Sequence, residues 1–283
     1  MVQPQGGGSL KRRQLYTGLA ALLACGVLFV LPFLFIFITA AKTKQDAASL
    51  MFRLPVEWRL WENFLEVLQA RNYMLLLAYF NSTVITVVAV TLLVLFGAMV
   101  GYVLQRRPSR WNAVIYGCVL AGLMIPPAVV PTIWVLQSLG LFKSISGMIL
   151  IQVAYGLAFT VLLFRSFIAT IPRDLDEAAI IDGAKPLQIF FRVVLPLLKP
   201  VTVTVIVVQS IAIFNDFTNP LYYLPGRENV TVQLTLYNFQ GQFQTQFNLL
   251  FMNILLVTIP PLIVFVFFNR QIVAGMTAGA VKG

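Results

Sequence analysis

Asp174-Leu-Asp-Glu-Ala-Ala-Ile-Ile-Asp-Gly183 is a short acidic stretch set between long apolar runs. Its pattern predicts a compact helix of about eight residues, roughly 12 Å long at 1.5 Å per residue. We expect Asp174 to cap the first turn, with Glu177 reaching back toward it as in a capping box. Gly183 suits the position just past the C-terminus of the helix. A helix this short is marginal in water, so neighbouring elements must hold it in place.

A helix of this kind suits insertion into a cleft on a partner outside the membrane. Ala178 and Ala179 are expected to leave one surface of the helix without bulky side chains, so that a partner's backbone approaches closely. Ile180 and Ile181 offer apolar contacts. The alternative is that Glu177 only caps the helix and that the alanines only favour helix formation. The residues by themselves leave both interpretations open, and the two roles are compatible.

The composition of the whole chain indicates a membrane protein. Of its 283 residues, 59% are hydrophobic and 11% are charged, against roughly a quarter charged in an ordinary soluble domain. The net charge of +10 is not typical of a nucleic-acid-binding surface here, because the basic residues lie between apolar runs as topology signals do. The chain has no histidine, and its two cysteines lie inside apolar runs, so neither a metal site nor a disulfide is expected.

Several apolar runs are long enough to cross the hydrocarbon layer, which takes about 20 helical residues. The fold class we expect is an all-α polytopic membrane protein with six transmembrane helices and a cytoplasmic loop that carries the acidic helix. The predicted spans are 15–41, 75–104, 111–136, 147–167, 201–224 and 249–268. A basic N-terminal cluster, Lys11-Arg12-Arg13, precedes the first run, which is too long for a signal peptide and is read as an uncleaved helix.

The chain therefore divides into a tail, a membrane domain and a second tail. We expect a cytoplasmic N-terminal tail at 1–14, of which 1–9 is disordered, a transmembrane domain at 15–268 with a cytoplasmic loop at 168–200, and a cytoplasmic tail at 269–283. Pro126-Pro127 and Pro131 interrupt the third span. Because proline frees backbone carbonyls that lipid cannot satisfy, this break should face other helices or a water-filled cavity.

Charge predicts the orientation. With six spans both termini lie on one side, and that side carries twelve Lys and Arg residues against seven on the other. The positive-inside bias places the termini and the 168–200 loop in the cytoplasm. In that loop Pro186 is expected to begin a second short helix that ends near Pro196. Arg165, near the inner end of the fourth span, is expected to extend toward the lipid headgroups.

A polar stripe is predicted in the fifth span. Thr202, Gln209 and Asp216 recur every seven residues, with Asn215 and Asn219 beside them. An acid inside an apolar span is costly and usually functional, so Gln209, Asn215, Asp216 and Asn219 are candidate residues of a solute pathway. The alternative is hydrogen bonding that holds helices together, which we favour for Gln209.

The segments outside the predicted membrane domain give two further expectations. Residues 225–248, rich in Gln, Asn and aromatic side chains, are a candidate docking loop for an extracytoplasmic protein, and the alternative is a plain surface connector. Asn81-Ser82-Thr83 and Thr86 begin the second span, and packing is favoured for Ser82 and Thr83. The chain has no Gly-x-x-x-x-Gly-Lys-Ser/Thr phosphate loop, so any ATP hydrolysis must come from another polypeptide.

Several motifs resemble those of one family. Glu177-Ala178-Ala179, Asp182-Gly183 and Leu195-Pro196 look like the EAA loop of permease subunits of ATP-binding-cassette (ABC) importers, in particular the six-helix member of the maltose-type carbohydrate pairs. The other matches are Ile125-Pro126-Pro127, Phe214-Asn215-Asp216-Phe217, where the family often begins with Trp, and the ending Gly275-Met-Thr-Ala-Gly-Ala-Val-Lys-Gly283. The likeness covers nearly all of the chain from the second span onward.

The resemblance implies the function and the partners. Glu177, Ala178, Ala179, Asp182 and Gly183 are expected to belong to a coupling helix seated in a groove of an ATPase subunit. The chain itself is expected to bind no cofactor and to have no enzymatic activity, since ATP and Mg would be used by two separate ATP-binding subunits. The other expected partners are a second permease subunit in a heterodimer, an extracytoplasmic solute-binding protein, a carbohydrate and membrane lipid, with no nucleic acid.

The implied location is the cell (inner) membrane of a bacterium or archaeon, with several passes. One alternative keeps the machinery and changes the solute, for example to glycerol 3-phosphate. A secondary transporter is a weaker alternative, because it needs internal repeats or an ion pathway inside the membrane, and it leaves the 174–183 helix unexplained. An intramembrane enzyme is disfavoured by the absence of histidine and the scarcity of acids in the apolar runs.

Overall fold

The chain is built from helices. The computed structural model describes residues 7–241 and 245–280, and among these it contains no named β-strand. The α-helices are α1 (Gly7–Ala40), α2 (Lys44–Ala48), α3 (Leu60–Arg106), α4 (Asn112–Met124), α5 (Val129–Ser138), α6 (Ile145–Ile168), α7 (Asp174–Ile181), α8 (Pro186–Gln188), α9 (Leu195–Leu197), α10 (Lys199–Phe214), α11 (Thr218–Tyr223) and α12 (Phe247–Ala280). A π-helical turn (Ile189–Val194) joins α8 to α9, and a 3-10 helix (Val232–Phe239) precedes α12.

Among the described residues, four helices are long and apolar enough to cross a membrane, namely most of α1, α3, α6 and the first part of α12. The number becomes six if each of two bent helix pairs forms one span. These pairs are α4 with α5, bent by 119°, and the Pro186–Leu197 segment with α10, bent by 75°. The all-α polytopic fold class predicted from the sequence is confirmed.

Three predicted helix boundaries differ from the structure. α1 already begins at Gly7 and α12 continues to Ala280, so the predicted tails at 1–14 and 269–283 are helical over much of their length. The expectation of a disordered tail at 1–9 falls largely on residues 1–6, which lie outside the described residues. α3 begins at Leu60 rather than near residue 75, but left-handed backbone at Arg71-Asn72-Tyr73 interrupts its regular winding.

The predicted break in the third span is confirmed. α4 ends at Met124 and α5 begins at Val129, with Pro126-Pro127 between them. Within the described chain Ile125 is 68% exposed and no side chain caps the start of α5, so the expectation that this break faces other helices or a water-filled cavity stays a prediction. The fifth span is also broken, since α10 ends at Phe214 and a new helix starts only at Thr218.

The chain divides into two compact units. The first consists of the residues up to Ala70 together with Leu236–Val257. In it the loop after α1 is folded back, because the Lys42 ammonium is buried and donates to the Met51 carbonyl at 2.7 Å. The Asn63 side-chain amide donates to the carbonyls of Ala40 and Lys42 at 2.7 and 2.9 Å, which fixes the end of α1 against the first turns of α3.

The second unit, Arg71–Thr235 and the residues from Thr258, holds both candidate sites. Its inner cluster packs α3 and α6 against the segment after α7. The buried members of this cluster are Ala98, Tyr102, Phe164, Ile168, Ile189, Phe190, Val194, Leu198, Val201 and Val205. Gly97 allows the close approach of α3 to α6, because a Cβ at this position would collide with Thr160. The Arg165 guanidinium lies 3.9 Å from the centre of the Tyr116 ring, so this side chain packs against α4, and its extension toward the lipid headgroups stays a prediction.

Candidate functional site

The acidic stretch forms α7 with nearly the predicted bounds, but the predicted capping box is wrong. Arg173 occupies the cap position with helical backbone angles and makes no side-chain capping bond. Asp174 is therefore already the first helical residue, and its carboxylate does not close the first turn. Asp174, Asp176 and Glu177 all lie in that turn, where negative charge is favoured by the helix dipole.

The C-terminus of α7 has the predicted glycine geometry. Gly183 has φ +79°, a left-handed conformation that favours glycine. Its N–H donates to the Ile180 carbonyl at 3.0 Å, and the Ala184 N–H donates to the Ala179 carbonyl at 3.0 Å. This pair of bonds is a Schellman motif, which satisfies the last carbonyls of the helix and stops it.

α7 has one inward face and one outward face. Asp176 is buried, and Ala179 is half-buried and packs against the inner cluster. The outward residues are Glu177, Ala178, Ile180, Ile181, Asp182 and Gly183. Four of the five predicted coupling residues therefore lie on the exposed surface. Ala179 is half-buried instead, so Ala178 alone provides the surface without bulky side chains that was predicted from two alanines.

The exposed face of α7 is apolar as well as acidic. Ile180 and Ile181 are 56% and 86% exposed. The second short helix was predicted at Pro186 to about Pro196 and is found at Pro186–Leu197. Its buried residues Ile189, Phe190 and Val194 join the inner cluster, and this part of the segment packs against α7.

Sequence reasoning missed the role of Arg106. It was counted only as a topology charge, yet its guanidinium Nε lies 3.1 Å from the Asp176 carboxylate. The same guanidinium donates from Nη2 to the Ile171 carbonyl at 2.7 Å. Arg106 is the last residue of α3, so it connects that long helix to the first turn of α7.

A polar cluster surrounds the break between α10 and α11. Asp216 Oδ2 accepts hydrogen bonds from Gln152 Nε2 at 2.6 Å and from Asn219 Nδ2 at 2.7 Å. Asp216 Oδ1 accepts from the Asn219 backbone N–H at 3.1 Å. All three donors are N–H groups, so the geometry suits an acceptor-only carboxylate.

This cluster borders a cavity of about 370 Å³. The lining combines amide groups and a carboxylate with aromatic rings and contains no lysine or arginine. The lining residues are Gln152, Tyr155, Gly156, Phe159, Val208, Gln209, Ala212, Ile213, Asp216 and Asn219. Gln152, Tyr155 and Phe159 were missed from the sequence, although Gln152 is the one strongly polar side chain deep in the predicted fourth span.

Three of the four predicted pathway residues line this cavity. They are Gln209, Asp216 and Asn219, whereas Asn215 is not among the lining residues and its side-chain Oδ1 accepts from Gln233 Nε2 at 3.2 Å. Gln209 is buried and its Nε2 donates to Thr160 Oγ1 at 3.1 Å, as the packing alternative predicts. The helical stripe with Thr202 is wrong, because the helix ends at Phe214 before it reaches Asp216.

The first part of the predicted docking loop is held against α3. Asn81 Nδ2 donates to the carbonyls of Glu228 and Val230 at 3.2 and 3.0 Å. Ser82 Oγ accepts from the Val232 N–H at 3.0 Å. The packing role expected for Ser82 agrees with this contact, and the loop presents a defined 3-10 helix at Val232–Phe239.

Long apolar helices, two of them broken, together with a short acidic helix in the loop that follows α6, are typical of a multi-pass membrane protein. The chain belongs to the family of binding-protein-dependent transport system inner membrane components, whose model matches residues 93–278.

Two curated relatives cover most of the chain. The melibiose/raffinose/stachyose import permease protein MelC of Bacillus subtilis (strain 168) is 31% identical over 96% of this chain and 98% of its own length. The diacetylchitobiose uptake system permease protein NgcG of Streptomyces coelicolor (strain ATCC BAA-471 / A3(2) / M145) is 32% identical over 93% of this chain and 87% of its own length.

The fold is also that of a solved importer. A chain of a bacterial ABC transporter involved in the import of the acidic polysaccharide alginate matches with a TM-score of 0.81 and 21% identity, over 95% of this chain and 99% of that chain. This similarity establishes the shared architecture, which is the importer permease fold that the sequence resemblance implied.

Proposed function

We propose that this chain is a transmembrane permease subunit of an ATP-driven importer that passes a carbohydrate from an extracytoplasmic binding protein into the cytoplasm. The observation that carries the proposal is α7, a short helix whose C-terminus is closed by a Schellman motif. Its Ala179 packs on the inner cluster, while Ile180 and Ile181 are exposed. Exposed aliphatic side chains on a rigid two-turn helix favour a protein partner, because water alone gives them no stabilisation.

The partner at α7 is an ATP-hydrolysing subunit, two copies of which would use ATP and Mg. The outward residues Glu177, Ala178, Asp182 and Gly183 form the polar part of the docking surface around the two isoleucines. The chain has no phosphate loop of its own, so it contributes motion and a pathway while hydrolysis takes place on the partner.

The second partner is another permease subunit, with which the chain forms a heterodimer. The exposed break between α4 and α5 supports this assignment. Backbone groups freed near Pro126-Pro127 cannot face hydrocarbon unsatisfied, and Ile125 is 68% exposed while no side chain caps α5 within the described chain. A second subunit that covers this break would supply the missing protein surface.

The solute pathway of this subunit includes Gln209, Asp216 and Asn219, with Asn215 at its edge. Amide groups and a carboxylate next to Tyr155 and Phe159 suit a solute with many hydroxyl groups and apolar ring faces. The names of MelC and NgcG, which concern oligosaccharides, support the same solute class. The alternative of glycerol 3-phosphate is disfavoured, because the lining holds an acid and no basic side chain to balance a phosphate.

The distribution of Lys and Arg supports an orientation in which both termini and α7 lie in the cytoplasm of a bacterial or archaeal cell. The segment at 225–248 then lies outside, where it would meet the binding protein. A relative of the fold is a bacterial alginate ABC transporter solved in complex with a pentasaccharide-bound periplasmic protein.

The test is purification of the tagged chain from its native membrane, followed by mass spectrometry of the proteins that stay bound. We expect an ATP-binding subunit and a different permease subunit. Vesicles containing this complex and its binding protein should accumulate raffinose or a related neutral oligosaccharide only when ATP is supplied. A functional homo-oligomer without an ATPase, or uptake driven by an ion gradient alone, would reject the proposal.

A further inference from the structure

Arg106 joins three elements of the second unit. It is the last residue of α3, its Nη2 donates to the Ile171 carbonyl at 2.7 Å, and its Nε lies 3.1 Å from Asp176 Oδ2 in α7. The side chains of Arg106 and Asp176 are only 6% and 12% exposed. One guanidinium therefore holds the end of a membrane helix, the turn before α7 and the first turn of α7.

Both helix dipoles favour the charges of this ion pair. Arg106 lies at the C-terminal end of α3 and Asp176 in the first turn of α7, and each charge is favoured by the dipole of its own helix. The Arg106 Nε lacks hydrogen-bond alignment with the carboxylate, and Asp176 Oδ1 has no hydrogen-bond partner among the described residues. The pair is thus held by charge attraction, and removal of either charge leaves the other buried and unpaired.

α7 has few other connections to the membrane helices. Ala179 packs on the inner cluster and the C-terminal turn leads into α8, but most other side chains of α7 are exposed. An eight-residue helix does not hold its position by its own stability. The inner end of α3, in contrast, is firmly packed, since Tyr102 lies in the inner cluster with its ring centre 5.6 Å from that of Phe190.

We propose that Arg106 is a positioning residue through which α7 and α3 move together, so that a displacement of α7 reaches the membrane helix directly. This inference rests on the proposed function, in which α7 docks on an ATPase subunit. The route through Arg106 bypasses the chain connection from α6, where only the turn at 169–173 precedes α7. Loss of the ion pair therefore leaves α7 able to dock but unable to drive α3.

The experiment uses the complete complex in liposomes, with four variants of this chain. Arg106→Gln and Asp176→Asn each leave one buried charge, the double variant removes both charges and keeps two amides in contact, and Arg107→Gln is the control at the neighbouring exposed arginine. Three quantities are measured for each variant: the amount of ATPase subunit that copurifies, unstimulated ATP hydrolysis, and hydrolysis stimulated by the loaded binding protein.

Each single variant should lose about tenfold in the stimulated rate, within the usual range of coupling between sites, while copurification and unstimulated hydrolysis stay at the wild-type level. The double variant should recover part of this loss, because no unpaired charge remains. Arg107→Gln should match the wild type.

Full stimulation in both single variants would overturn the proposal. So would loss of copurification in both, which would make the ion pair a requirement for assembly instead of transmission. If the wild-type chain itself copurifies with no ATPase subunit, the proposed function fails, and this outcome is distinct from both of the others.

Discussion

Gly183 gives the sharpest test of α7 as a docking element. Its φ of +79° costs a residue with a Cβ about 1–2 kcal/mol, and nothing lies within 4 Å of a Cβ placed there. The penalty of Gly183→Ala is therefore purely conformational. This penalty lowers the population of the native helix end, relative to the unfolded one, by about 5–30-fold. Docking can therefore weaken by at most the same factor. Gly183→Val should be worse because its side chain is β-branched, and Gly183→Asn should be milder.

The assay is the amount of solute imported per ATP hydrolysed in reconstituted vesicles, with the amount of inserted chain measured in parallel. We expect the ratio to fall in the order wild type, Asn, Ala, Val at equal insertion. Gly140→Ala is the matched control, because Gly140 also has a positive φ, +67°, and open space around its Cβ, but it lies in the loop after α5. Normal coupling in Gly183→Val, or an equal loss in Gly140→Ala, would refute the reasoning.

Three further substitutions address the other features. Ile181→Ala should weaken binding of the ATPase subunit by about 1–3 kcal/mol, measured by titration of the detergent-solubilised complex. The control Val56→Ala, at a residue that is 84% exposed in the loop after α1, should leave binding unchanged. Equal affinities of the two variants would mean that the docking surface lies elsewhere. Asp216→Asn keeps the size of the side chain but removes its charge, so it should change the solute concentration dependence of uptake without loss of assembly, and unchanged kinetics would assign Asp216 to packing. Gly97→Leu should lower the stability of the chain in detergent by about 1–3 kcal/mol or more, because the new side chain would collide with Thr160. The control Gly117→Leu should leave the stability unchanged, since Gly117 has open space around it. Similar thermal unfolding of the two variants would contradict the close packing of α3 on α6.

Local chemistry determined the parts of the fold that were predicted well. The bounds of α7 and the role of Gly183 follow from residues that are neighbours in the chain, because a left-handed stop needs only glycine and two backbone bonds. The break near Pro126-Pro127 is equally local, since proline cannot continue the ladder of helix hydrogen bonds. The capping box failed because Arg173 takes up helical angles, which moves Asp174 one position into the helix.

The break after Phe214 was missed because hydropathy is averaged over a long window. Residues 201–224 are apolar enough as a whole to suggest one span, but Asn215-Asp216 and Asn219-Pro220 carry the side chains and the proline that favour a turn. The Asp216 carboxylate then accepts from the Asn219 N–H and favours a new helix start over continuation. The residues that favour a turn therefore predict this break better than the mean hydropathy of the whole segment does.

Pairing between distant segments could not be read from the sequence. Arg106 resembles any basic residue at the inner end of a span, and Asp176 resembles any acid in a first helical turn. Only the packing of α3 beside the segment after α6 brings them within 3.1 Å. The contacts of Asp216 with Gln152 and of Asn81 with Val230 have the same origin, so the cavity and the anchored loop emerged only from the tertiary fold.

The two broken helices differ in a way that bears on the whole assembly. At Asn215–Phe217 the chain satisfies its own break, since Asp216 accepts from Asn219 and Gln152 next to a polar cavity. At Ile125–Ala128 no side chain caps α5, and the break is exposed on the described chain. Backbone at membrane depth persists only where protein or water covers it. The break at Asn215–Phe217 therefore belongs to the interior of this subunit. The break at Ile125–Ala128 indicates the side on which the proposed permease partner completes the pathway.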